Sequence, residues 1–107
     1  FIVQGGDFLF GEGSGRISIY GDRFEDENLT RKHDEPGLLS MYNTEPNTNG
    51  CQFFITCANA DPKQLASLDN KYTVFGKLLG EASFVTLKKI EHLGDSLPVN
   101  ISECGEF

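Results

Sequence analysis

Alternation of apolar and polar positions is clearest in the middle of the chain, at residues 51–57. These residues follow Asn49 and Gly50, a turn dipeptide in which both residues tolerate positive φ. They are rich in aromatic and β-branched types, which predicts a strand whose side chains alternate in direction. One predicted face is uniformly apolar and contains Cys51, Phe53, Ile55 and Cys57. The other face carries Gln52, Phe54 and Thr56.

The second face of this strand combines polar side chains with the large aromatic ring of Phe54. Such a mixture indicates a shallow surface on which an apolar group docks beside an amide that can hydrogen-bond to it. The alternative is that Phe54 is covered by a loop of the same protein. Strand alternation alone does not separate these two interpretations.

Short patterns on both sides of the central strand predict further elements. Strands are predicted at residues 1–4, 18–20, 38–43, 72–77 and 98–104. Asp61 and Pro62 suit the cap and first position of a helical turn, which would place Leu65 and Leu68 on one side. Residues 82–92 predict a longer helix, because apolar residues recur every three positions and a glycine follows. Many short strands with glycine-rich turns predict a mainly β, barrel-like domain.

Composition narrows the classes of partner. The chain has 107 residues, which is one domain at most, and 16 acidic against 9 basic residues give a net charge of −7. An acidic surface argues against non-specific nucleic-acid binding and against docking on anionic membranes. No apolar run approaches the roughly 20 residues that span a bilayer, and no secretory signal is visible. We therefore expect no direct nucleic-acid or membrane partner.

The three cysteines cannot all pair within one chain. Cys51 and Cys57 lie on one predicted strand, where extended geometry separates them by about 20 Å. That distance is far beyond the reach of a disulfide. Buried, reduced thiols in a cytoplasmic or nuclear protein are the expectation.

The sequence contains few groups arranged for reactive chemistry. The glycine-rich loop at residues 11–16 lacks the ending and the following helix of a phosphate-binding loop, so a surface loop is expected. The acidic stretch at 24–28 predicts a solvated turn, because adjacent carboxylates rarely converge on one ligand. His33 and His92 are isolated in polar contexts and are expected to be solvated. We expect no metal and no cofactor, and an enzyme of this kind would need no covalent step.

Six recognisable segments lie at residues 1–8, 18–21, 24–28, 36–41, 46–56 and 73–77. In their order and spacing they resemble the cyclophilins. The resemblance implies a closed antiparallel eight-stranded barrel with two helices, from which the N-terminal strands and the first helix are missing here. Residues 1–107 would then be the C-terminal two-thirds of a single cyclophilin-type domain, within a longer protein or completed by another segment.

The family resemblance also assigns site residues. It implies a proline pocket formed by Phe1, Ile2, Phe54 and Leu68. Substrate backbone would be bound or oriented by Gln4, Asn43 and Gln52, so that Gln4, Phe54 and Asn43 are the expected catalytic residues. The neighbouring groove would be bordered by Gly13, Tyr42 and Thr44. Tyr72 stands at the pocket rim, where the family commonly has a histidine, and Tyr42 stands where a small residue is common.

The activity implied by the resemblance is cis/trans isomerisation of X-Pro peptide bonds in protein folding or complex assembly. The expected partners are proline-containing peptides or proteins. Residues 50–57 and the ending from Leu97 look most like the H-type cyclophilins, which are spliceosome-associated, so a spliceosomal or other multiprotein complex is a further expectation. The alternative is a non-catalytic proline-peptide binding or scaffold module. The family's catalytic arginine falls a few residues before Phe1, and none of the arginines in this sequence occupies its motif.

Weak cyclosporin binding is a testable consequence of one departure from the family. Ser67 stands just before Leu68, where cyclophilins often have a tryptophan that helps to hold cyclosporin. Losing that large ring removes contact area, so we expect a cyclosporin affinity below that of a tryptophan-containing relative. A competition titration measures it, and binding as tight as the relative's would contradict the expectation.

Overall fold

A computed structural model describes residues 1–106 of the chain. These residues form four short strands and two helices. The strands are β1 (Ile2–Gly5), β2 (Leu38–Met41), β3 (Phe53–Thr56) and β4 (Val74–Lys77). The helices are α1 (Pro62–Ala66) and α2 (Glu81–Leu93). Among the described residues, no helix is long and apolar enough to cross a bilayer.

The strands pair in one antiparallel sheet, in the order β1-β3-β2-β4. β3 is therefore an inner strand, and its residue Phe54 lies opposite Gln4 on one side and Ser40 on the other. The β2–β4 register is interrupted between Leu39 and Ser40. This pairing brings segments that are far apart in sequence to the two flanks of Phe54.

The mainly β, antiparallel class is confirmed, but the closed eight-stranded barrel is not seen. In residues 1–106 the sheet has two outer strands, β1 and β4, and does not close on itself. Residues 18–20 make a tight turn instead of a strand, because the Ser18 hydroxyl bonds within the turn to Gly21 and Tyr20. Residues 98–104 form no strand either, and their apolar side chains are exposed.

The face of β3 predicted to be a surface is its buried face. Phe54 is 1% exposed and Thr56 is fully buried, whereas Phe53 and Ile55 are only half-buried. The reason is tertiary, since the segment carrying α1 packs its leucines on this face. The expected turn also differs, because the positive φ of 62° belongs to Asn47 rather than to the dipeptide at 49–50.

Both helices form where the pattern predicts them. α1 begins with a capping box, in which Asp61 accepts from the backbone and Gln64 reaches back to the cap. Leu65 and Leu68, each 7% exposed, point into the core as expected. α2 ends at Gly94, whose N–H donates to the Ile90 carbonyl.

The three cysteines are unpaired, with Cys57 buried, Cys51 half-buried and Cys104 exposed. Burial, reinforced by the nearby Glu91 carboxylate, raises the pKa of the Cys57 thiol to about 11. Cys57 therefore stays protonated near neutral pH and behaves as a small apolar residue.

His33 is buried, so the expectation that it is solvated was wrong. It is 2% exposed, and its ring stacks on that of Phe54 with centroids 5.8 Å apart. Its Nδ1 lies 3.0 Å from an oxygen of Asp69, and its Nε2 lies 3.0 Å from the Ser40 hydroxyl. A carboxylate only accepts, so the ring hydrogen on Nδ1 faces Asp69. Partial burial raises the pKa of Asp69, but hydrogen bonds from His33 outweigh it and hold that pKa below its usual range.

Replacing His33 tests whether this buried network stabilises the fold. His33→Leu should lower the free energy of unfolding by roughly 2 kcal/mol, because Ser40 and Asp69 each lose the hydrogen bond to the imidazole ring. Asp69 keeps the bond from the backbone N–H of residue 33, and Ser40 keeps its bond to the Thr73 carbonyl. His92→Leu is the matched control, since His92 is exposed on α2 and should change stability by less than about 0.5 kcal/mol. Urea unfolding measures both, and equal losses in the two variants would contradict the assignment.

Candidate functional site

The predicted pocket residues meet in one apolar cluster. Phe54, Leu65 and Leu68 form its buried core, against which Ile2, Tyr42, Ala60 and Tyr72 pack. Tyr72 meets Phe54 edge to face at 5.3 Å, and Tyr42 stacks on Tyr72 at 6.2 Å with 16° between the rings. Phe1 lies beside this region on the chain and is 45% exposed.

The cluster is packed, and Phe54 does not lie on an open surface. With 1% of its surface exposed, the Phe54 ring is covered by the protein's own residues, which was the alternative interpretation of the strand pattern. Leu68 is buried as well. Within the cluster, solvent reaches four half-buried residues, which are Ile2, Tyr42, Ala60 and Tyr72.

Two glutamines next to this cluster form a short amide relay. Nε2 of Gln52 donates to the carbonyls of Gly13 at 3.0 Å and Gly15 at 2.8 Å. Because carbonyls only accept, the Gln52 amide has one orientation and turns Oε1 toward Gln4. Nε2 of Gln4 donates to that oxygen at 2.9 Å. Gln4 is exposed, and its own Oε1 has no partner within residues 1–106, so it can accept a hydrogen bond from a ligand.

The loop that supplies those two carbonyls is ordered by one carboxylate. Asp7 accepts from five backbone N–H groups, those of Leu9, Phe10, Glu12, Gly13 and Gly15. These bonds, led by that from Phe10, hold the pKa of Asp7 far below its usual range. Since an internal anion already occupies these donors, the loop is not a phosphate site. A Cβ at Gly15 would collide with this carboxylate, so the close approach requires glycine.

Asn43 is 8% exposed, and its side chain is engaged inside the protein. Its Nδ2 donates to Asp26 at 3.2 Å and to Asn49 at 3.1 Å. Asn49 in turn donates to Asp26 at 2.8 Å and to the Phe24 carbonyl at 3.2 Å. The acidic turn therefore ties two loops together and holds Nδ2 of Asn43, whereas Oδ1 of Asn43 has no hydrogen-bond partner within residues 1–106.

A groove of about 480 Å³ lies on the other side of Tyr42. The predicted border residues Gly13, Tyr42 and Thr44 all line it, together with Gln52. Arg16 and Asp22, paired at 2.8 Å, form part of the wall. The hydrogen bond from Arg16 lowers the pKa of Asp22, so this pair keeps its charges at neutral pH.

Two contributors were missed by reasoning from the sequence, Asp7 and His33. An acidic residue just before a glycine-rich loop is a usable signal for Asp7, because such loops expose backbone donors. No local signal exists for His33, whose partner Asp69 lies 36 residues away. Among the described residues, no group of three or more His, Cys, Asp or Glu side chains could hold a metal ion.

Comparison with known proteins agrees with this arrangement. The family described as cyclophilin type peptidyl-prolyl cis-trans isomerase/CLD matches residues 1–106. The chain belongs to the cyclophilin family. Its relatives include the peptidyl-prolyl cis-trans isomerase CYP22 of Arabidopsis thaliana, 56% identical over the whole of this chain and 54% of the relative.

Cyclophilins named peptidyl-prolyl cis-trans isomerase H are also close. Those of Rhizopus delemar and Mycosarcoma maydis are 51% and 49% identical over the whole of this chain, which covers 60% and 68% of their lengths. These names confirm the resemblance to the H-type members. The chain spans between half and about two-thirds of the curated relatives it matches.

Replacing Asp7 tests the loop that orients this cyclophilin's glutamines. Asp7→Asn removes the negative charge of the carboxylate to which five N–H groups donate. The melting temperature of the variant at pH 7 should therefore be lower than that of the wild type. The folded-state pKa is depressed, so the stabilisation is present above the ordinary value of 3.8 and disappears as the pH falls below it. The gap in melting temperature should therefore narrow on acidification.

Asp22→Asn is the matched control, because Asp22 is an exposed loop carboxylate with one ion pair. It should lower the melting temperature much less than Asp7→Asn. The side-chain amide NMR signals of Gln52 should move in Asp7→Asn and stay in place in the control. If the difference in melting temperature between the wild type and Asp7→Asn is the same at pH 7 and pH 3, the Asp7 carboxylate does not stabilise the loop as described.

Proposed function

We propose that this cyclophilin is a peptidyl-prolyl cis-trans isomerase that accelerates rotation about X-Pro bonds in proline-containing peptides or proteins. Family membership supports the reaction type. The observation that carries the proposal is the register of β1 on β3, which sets the exposed Gln4 amide directly across from Phe54. A polar group that can hold a peptide backbone thus lies at the edge of an apolar cluster that can receive a proline ring.

The physics of the reaction matches such a site. Rotation about a peptide bond has a barrier of about 18–20 kcal/mol, because the amide resonance is lost in the twisted state. A site lowers that barrier when it binds the twisted amide better than either planar form. Apolar walls grip the ring, and Gln4, held by Gln52, fixes the chain on one side of the bond. No covalent bond is made or broken, so the reaction requires no acid, base or redox group.

A second candidate is a prolyl-peptide binding module with little turnover. The observation that favours it is the burial of Phe54, since a ring that is 1% exposed offers a proline little contact in this conformation. Both candidate functions use the same residues. They differ in whether the protein accelerates rotation about the X-Pro bond of a bound peptide.

The setting we propose is a multiprotein complex, with the spliceosome as the first one to examine because relatives carry the H-type name. The three unpaired cysteines favour the cytoplasm or nucleus over an oxidising compartment. Proline-containing segments of other proteins in the complex would be the ligands.

Exchange measurements on a short X-Pro peptide test the catalytic proposal. The full-length protein should increase the cis/trans exchange rate seen by NMR. Gln4→Ala should lower that increase at least about tenfold, since misplacing a substrate by even 1 Å is costly. Phe54→Ala should abolish it, although it also creates a core cavity that costs roughly 3–5 kcal/mol. An unfolding curve of Phe54→Ala is therefore needed to show that the variant is folded when its exchange rate is measured.

Lys88→Ala serves as the control, because Lys88 is exposed on α2 and lies outside the site. It should leave the exchange rate unchanged. A full-length protein that binds the peptide without increasing exchange would refute catalysis and leave the binding module. Gln4→Ala with full activity would remove Gln4 from the site.

A further inference from the structure

Two tyrosine rings belong to the half-buried layer around the Phe54 cluster, which also includes Ile2 and Ala60. Tyr72 packs its ring edge to face on Phe54 with centroids 5.3 Å apart, and Tyr42 stacks in parallel on Tyr72 at 6.2 Å. Both tyrosines are half-buried, whereas Phe54 beneath them is 1% exposed. The apolar cluster is thus closed from the side on which Tyr42 borders the groove.

We propose that the Tyr42–Tyr72 stack is a cover that closes the prolyl site in the free protein, and that a proline ring reaches Phe54 only when the two rings separate. This inference rests on the proposed function, because it describes access to the same site. It makes the tyrosine pair a determinant of which peptides bind and how tightly.

The way the rings are held allows them to move. Tyr42 follows the last residue of β2, and Tyr72 precedes β4, so both lie just outside the paired segments. The backbone N–H of Tyr42 donates to the Gln52 carbonyl at 3.0 Å, which anchors its main chain. Neither phenol oxygen has a hydrogen-bond partner within residues 1–106. Rotation of either side chain therefore breaks no strand pairing and no hydrogen bond.

Tyr42 takes part in both the Phe54 cluster and the groove. It packs against the cluster, and it also lines the groove of about 480 Å³ with Gly13 and Thr44. Displacing the Tyr42 ring would open the cluster above Phe54 toward the groove. A peptide lying in the groove would then place its proline on the Phe54 ring while Gln4 holds the adjacent backbone.

The cover predicts the direction of an affinity change. When only a minor open population binds ligand, the apparent dissociation constant is the intrinsic one divided by the open fraction. Minor states of this kind are commonly about 10% populated or less. Removing one ring should therefore tighten peptide binding at least about tenfold, although it deletes apolar contact area.

The first experiment measures the cover without any ligand. A soluble gadolinium chelate speeds the relaxation of protons that it can approach. The Phe54 ring protons should be protected in the wild type and in Tyr42→Phe, which keeps the stacked ring. They should relax several-fold faster in Tyr42→Ala. Tyr20→Ala is the control, because Tyr20 is 72% exposed and lies outside the cluster, and it should leave Phe54 protected.

The second experiment titrates the same full-length variants with a short X-Pro peptide. Tyr42→Ala should bind at least about tenfold more tightly than the wild type, and Tyr20→Ala should bind as the wild type does. Tyr72→Ala removes the other ring of the Tyr42–Tyr72 stack, and it gives the same test if Tyr42→Ala does not fold.

Phe54 protons that stay protected in the alanine variants would overturn the inference. So would an exposed Phe54 with peptide binding equal to or weaker than that of the wild type. If neither the wild type nor any variant binds a prolyl peptide, the proposed function fails, and the relaxation data alone decide whether the cover exists.

Discussion

Phe54 lies in the buried core, in contact with residues from several parts of the chain. Its burial is the constraint on which the other features depend. The inner strand β3 carries it between Gln4 and Ser40. His33 stacks on its ring, and Tyr72 meets it edge to face. A buried aromatic ring needs close neighbours in fixed positions, because loose packing forfeits dispersion contacts. The same neighbours define the site proposed for the proline ring.

A second constraint is that buried polar groups need partners, and here a few side chains supply many of them. One carboxylate, that of Asp7, satisfies five backbone donors and so shapes the loop whose carbonyls orient Gln52. Asp26 likewise accepts hydrogen bonds from the side-chain amides of Asn43 and Asn49. Breaking any of these bonds would leave a polar group without a partner, which costs free energy. The tyrosines stand apart, since packing alone holds their rings.

Local patterns predicted the parts of the fold that local forces decide. The cap at Asp61, the leucines of α1 and the extent of α2 all follow from short-range spacing, and the structure agrees with each. The strands predicted at 18–20 and 98–104 failed, because strand pairing requires a partner that spacing does not reveal. The family resemblance named residues that the structure brings together in one cluster, but it did not reveal that Phe54 is covered.

The sequence by itself determined the family, the mainly β class, the positions of the two helices and some of the residues that pack around Phe54, Ile2 and Leu68 among them. Only the tertiary structure decided which face of β3 is buried, because alternation makes the two faces distinct without saying which one another segment will cover. It also decided that His33 lies under Phe54, since hydrogen bonding to Asp69 across 36 positions depends on how the chain returns on itself. The stacking of Tyr42 on Tyr72 likewise exists only because β2 and β4 are neighbours in the sheet.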